Sequence, residues 1–169
     1  MTPDHFRTLG RYNQWANRRL YDACALLDDA AYRQRRPAFF GSIHGTLNHL
    51  LVGDRVWLGR IEHVPSGIRA LDQILYDDFA ALRAAREAED KRIIALVDRL
   101  DAAALAQELD YANMAGTPQH TRLDWVLVHF FNHETHHRGQ VHGLLSQTAV
   151  APPPLDLIFY LREVAAATR

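Results

Sequence analysis

Apolar residues recur at helical spacing over four long stretches of the 169-residue chain. Thr2 then Pro3 makes a helix start, a hydroxyl cap followed by proline in the first turn, and Phe6, Leu9, Asn13, Ala16, Leu20, Ala23 and Leu27 share one face after it. This predicts a first helix over 3–27. The polar, basic stretch 28–41 contains Pro37 and ends in Phe39-Phe40 before Ser42, a cap for the next helix, and reads as a connection. Over 43–61, Leu47, Leu50, Leu51, Trp57, Leu58 and Ile61 form one stripe, and Gly45, Val52, Gly53 and Val56 form a second of smaller residues. A helix apolar on two sides is expected to be mostly buried.

Residues 62–70, with Pro65-Ser66-Gly67, break the pattern. At ~3.3 Å per residue they just span the length of the preceding helix, which predicts a long crossover. A third helix is expected over 71–100, carrying Ile74, Leu75, Phe79, Leu82, Ile93, Leu96 and Val97. Its charged run puts Arg86 and Glu89 on the apolar phase, which fits either a solvated bend or a functional role. Residues 109–121 then read as a short hairpin around Ala115-Gly-Thr-Pro118. The last long helix is predicted over 122–147, with Val126, His129, Phe130, His133, His137, Gln140, Val141 and Leu144 on one stripe. Pro152 to Pro154 stop any helix, and 155–162 is a short apolar tail expected to fold back over the bundle. Four amphipathic stretches joined by polar segments predict an all-α four-helix bundle, a single domain over 1–169.

Composition narrows the function classes. With 19 basic and 20 acidic side chains and a net charge of -1, no polyanion partner or membrane surface is indicated, so nucleic-acid binding is disfavoured. The first residues lack the basic and apolar run of a signal peptide, and nothing approaches the ~18 apolar residues of a membrane span. A cytoplasmic protein is expected. The single cysteine, Cys24, excludes an internal disulfide and a cysteine metal cluster, and its apolar phase marks it as buried filler. Histidine is the unusual component: ten in all, five of them between His129 and His142.

Residues four apart on a helix lie one turn above each other, so His133 and His137 can converge on one ion. Both share the stripe of Val126, Phe130 and Leu144, so both rings are expected to be buried, where an unpaired imidazole is costly. A third ligand must come from elsewhere. His49 is the best candidate, with Gly45, Gly53 and Val56 beside it leaving room for an ion; His44 has a capping or surface explanation. His133-Glu134-Thr135-His136-His137 also satisfies H-E-x-x-H, the zincin protease motif with Glu134 as base and Asp156 or Glu163 as a further ligand. The longer form fails, because Gln140 and Gly143 occupy the places of its Gly and His. His129 is a ligand, a partner of one, or a core histidine, and Gln140 is placed to hydrogen-bond a ligand ring. His136 and His142 point elsewhere on the helical wheel.

Tyr12-Asn-Gln-Trp-Ala-Asn17, the segment from Ser42 to Trp57, Asn132-His-Glu-Thr-His-His-Arg-Gly-Gln140 and Pro154-Leu-Asp-Leu157 together resemble the DinB/YfiT-like (DNA damage-inducible) superfamily of four-helix-bundle metal-binding proteins. The resemblance implies a three-histidine site at His49, His133 and His137, holding a divalent ion such as zinc or nickel, or else iron or copper. It also implies a homodimer, and Leu127, Val128 and Phe131 on the back of the last helix offer a surface for a partner or for the folded-back tail. Its members include transferases and isomerases that use low-molecular-weight thiols such as bacillithiol or mycothiol, as well as proteins without a known reaction. By analogy, a thiol or water made acidic by the ion would attack a small-molecule electrophile, or the ion would only tie two helices together.

Overall fold

A computed structural model describes residues 1–167. Its elements are α1 (Pro3–Cys24), α2 (Asp29–Arg33), α3 (Ile43–Ile61), α4 (Phe79–Arg99), α5 (Ala102–Leu105), β1 (Glu108–Ala112), β2 (Pro118–Arg122), α6 (Leu123–Leu145) and α7 (Leu157–Ala167). Side-chain oxygens of Thr2, Ser42 and Asp78 accept hydrogen bonds from the amides of His5, Gly45 and Ala81, and so fix the starts of α1, α3 and α4. The long helices α1, α3, α4 and α6 form the four-helix bundle the periodicity predicts. Helix α1 packs beside α4 and α6, and α3 packs against the other sides of the same two.

The third helix starts at Phe79 rather than near 71. Residues 71–78 run instead along α3, where Asn48 Oδ1 accepts from the amides of Leu75 and Tyr76 at 2.9 and 3.0 Å. The crossover therefore covers 62–78 and returns the chain to the beginning of α3, which makes α3 and α4 parallel. Cross-helix pairs agree with this register: Arg55 meets Glu89, and Glu62 meets Arg92. The hairpin is present, with β1 antiparallel to β2 and Leu109 opposite Thr121. Gly116 has φ +81°, the left-handed conformation its turn requires and most side chains avoid. The apolar tail is helical, as α7, and lies on α1: Tyr12 Oη donates to Leu155 O at 2.7 Å, and Trp15 Nε1 to Glu163 Oε2 at 3.0 Å.

Among the described residues the apolar core has two main parts, besides a small cluster of Tyr12, Trp15 and Ala16 under the tail. One, around Phe6, Leu58, Val97 and Leu127, fills one end of the bundle, and the other, around Leu20, Leu47, Leu82 and Val141, fills the other. Leu127 and Phe131 belong to the first part, with Phe131 stacked on Phe6, and Val128 is half-buried against it. Among the described residues, no helix is long and apolar enough to cross a membrane.

Candidate metal centre

A polar layer separates the two apolar parts. Asn13, Asn17, Asp54, Arg86, Asp90, Glu134 and Arg138 are all buried in it. Arg86 Nη1 donates to Asp54, and Nη2 lies 3.1 Å from Asp90; Arg138 Nη1 donates to Asn13, Asn17 and Glu134. Burial pushes the Asp54 carboxyl well above the usual range, with Arg86 opposing and Glu134 reinforcing the shift. Arg86 therefore sits in a buried ion pair and not on a solvated bend, and Glu89, also buried, joins Arg55 and Arg92. Buried charges are tolerated only when paired in this way.

The histidines lie at the edge of this layer, between α3 and α6. His49, His133 and His137 offer ring nitrogens that all lie within 4.8 Å of one another. His49 Nε2 is 3.2 Å from His133 Nε2 and 3.2 Å from His137 Nε2. Two nitrogens each about 2.0–2.1 Å from a tetrahedral ion would be roughly 3.3–3.4 Å apart, so the spacing suits one shared ion. The opposite faces of two rings are held: His49 Nδ1–H donates to Leu71 O at 2.8 Å, and His137 Nδ1–H to Gln140 Oε1 at 2.9 Å. A proton on Nδ1 leaves the Nε2 lone pair facing its neighbours, the tautomer a metal ligand needs. Burial holds all three imidazoles below their ordinary pKa, His133 down to about 3 with His137 and His49 contributing, so the rings are neutral donors.

His49 and His137 are buried as expected, whereas His133 is only half-buried. Gly53, one turn beyond His49, is the glycine that makes room: a Cβ there would lie 2.8 Å from His133 Cε1. Gly45 serves a different contact, since a Cβ there would lie 2.3 Å from Phe40 O. His44 is outside the cluster and buried, bonded through Nδ1 to Tyr32 Oη at 3.2 Å. His129 is exposed and also outside it, its ring 5.0 Å from that of Trp57. Glu134 is fully buried on the Arg138 side, and Glu163 is bound to Trp15 and Arg19 on α1, so the zincin roles for both lack a geometric basis.

A cleft of about 540 Å³ opens beside the cluster, lined by Phe39, Phe40, His49, Leu71, Asp72, His136, His137 and Gln140. Phe40 stacks on His49 with ring centroids 3.8 Å apart. His136, set aside by the wheel, belongs to this lining and is 3.1 Å from Gln140 Nε2, so Gln140 bridges it to His137. The aromatic pair Phe39-Phe40 just before the Ser42 cap was the available signal for this wall.

The DinB family model matches residues 1–167. The chain is 28% identical over 163 residues to Protein DinB of Bacillus subtilis (strain 168), covering 90% of this chain and 91% of that protein. The fold is similar to the crystal structure of a DinB-like protein from Bacillus cereus ATCC 10987, with a TM-score of 0.63, 18% identity, and coverage of 82% of this chain and 89% of that one.

Proposed function

The chain belongs to the DinB family, and from that premise we propose that it is a metal-dependent enzyme of the thiol-dependent transferase or hydrolase kind. His49, His133 and His137 would hold one divalent ion, with zinc and nickel the leading choices for an all-imidazole set and iron or copper next. The observation that carries the reading is the convergence of three neutral imidazole nitrogens, two of them 3.2 Å from His49 Nε2, at the wall of an open cleft. Such an ion, when bound, supplies a Lewis-acidic position that acidifies a thiol or a water.

The chain's own residues supply the rest. Leu71 O and Gln140 Oε1 fix the planes of His49 and His137. Phe40 covers one face of His49 and keeps water from it. The cleft admits a small molecule to the side of the cluster formed by His49 and His137. That access favours catalysis over the second reading, a noncatalytic bundle in which the ion only ties α3 to α6, because structural sites are closed by protein ligands. Elemental analysis of the purified protein and of His137→Ala tests the site: metal retained equally by both would overturn it. Melting with and without chelator, run beside a screen of thiols and electrophiles, tests the role: a large loss of stability without turnover would favour the structural reading.

A further inference from the structure

Resting on the reading that the three histidines hold a metal, we propose that the adjoining cleft takes a small molecule whose body is uncharged and largely apolar and whose one anionic group faces the metal. At about 540 Å³ the cleft is of the size that encloses a small organic molecule. One wall is apolar: Phe39 is 87% exposed, Leu71 is 44% exposed, and Phe40 continues the surface onto His49. Large apolar side chains grouped at the mouth of a cleft, next to a set of metal-ligating nitrogens, mark a surface that a ligand covers.

The charge of the lining points the same way. Among the described residues that line the cleft there is no lysine or arginine, so the ion would be the one cation a ligand meets, and the lining away from it offers an anion no partner. The remaining polar groups are committed to each other, since Gln140 bonds both His137 and His136. Sites that select carboxylates or phosphates present arginine forks or lysine to them. Here a ligand gains contact area from Phe39, Phe40 and Leu71, and a thiolate or oxygen is its only group directed at the cluster.

The test loads the full chain with cobalt(II) and titrates it with benzyl mercaptan and, separately, 2-mercaptoethanol, following the thiolate-to-cobalt absorption band. In each case the thiol proton leaves to solvent as the sulfur binds. Benzyl mercaptan should half-saturate at a concentration at least about tenfold lower, from the apolar area its ring buries. The variant Phe39→Ala should reduce that preference severalfold with cobalt content unchanged; the side chain is 87% exposed, so folding is not at stake. An equal or reversed preference, a preference indifferent to the Phe39 substitution, or no band on protein that holds cobalt would overturn the proposal and leave the metal reading standing. A chain that holds no cobalt would overturn both.

Discussion

The hydrogen that serves as the side chain of Gly53 occupies a position where a Cβ would lie 2.8 Å from His133 Cε1, closer than carbon atoms pack. Helix α3 thus yields space to a ring that α6 presents. Substituting Gly53→Ala should rotate His133 out of the cluster and lower metal affinity by about tenfold or more, as loss of an oriented ligand does. The fold should survive, since alanine in a helix interior is favoured over glycine by ~1 kcal/mol. Metal content and thermal melting of the metal-free variant check this together. Lost metal with an unchanged or raised melting temperature is expected, and full metal retention would contradict it.

Gln140 Oε1 holds His137 Nδ1–H at 2.9 Å, and so sets which nitrogen faces the cluster. Replacing it by leucine should weaken metal binding by about 10–100-fold, the usual cost of losing such a partner. Gln140→Glu keeps an acceptor at the same reach and should restore most of the affinity. Competition with a chromogenic chelator measures both. If leucine and glutamate behaved alike, the role assigned to this hydrogen bond would be wrong.

How much of this was legible in the sequence depended on whether the contact was local. His133 and His137 were readable because both sit on one helix, where spacing alone places them together. His49 and Gly53 share a helix, so their one-turn relation was also visible. Nonlocal features were not. The apolar residues Leu71, Ile74 and Leu75 continue a helical rhythm, yet their backbone runs along α3 and bonds Asn48, while Asp78, the true cap, lies within a run of acidic residues that did not single it out. Arg86 was visibly out of place on an apolar phase, but its partner Asp54 lies on another helix, 32 positions away. The cleft was hidden for the same reason, because Phe39, Leu71 and His136 come from three separate segments.

Cys24 is 2% exposed, and burial pushes its thiol up to about 12. A raised pKa means that the neutral thiol persists through ordinary alkaline pH, and only the thiolate attacks alkylating reagents. At pH 8 its thiolate fraction should be lower than that of an ordinary cysteine by about three orders of magnitude. Iodoacetamide should therefore label the folded protein negligibly and the urea-unfolded protein readily, with mass spectrometry as the readout. Rapid labelling of the folded chain at pH 8 would contradict this placement, and with it the assignment of the nucleophile to a group outside the protein.

The Asp54–Arg86 pair is the strongest test of the polar layer, because both partners are fully buried. Arg86 is also 3.1 Å from Asp90, so removing the guanidinium leaves two buried carboxyls without their counter-charge. Arg86→Leu should cost about 3–5 kcal/mol, the range for breaking a buried pair from one side. Urea unfolding should show this as a lower midpoint with an unchanged slope. The double variant Asp54→Leu/Arg86→Leu removes one of the stranded carboxyls along with the guanidinium, so it should be less destabilised than Arg86→Leu alone. That inequality separates an electrostatic layer from simple packing, since truncating two buried side chains would otherwise cost more than truncating one. A single variant within about 1 kcal/mol of the parent, or a double variant with additive losses, would show that the layer does not hold the bundle through charge.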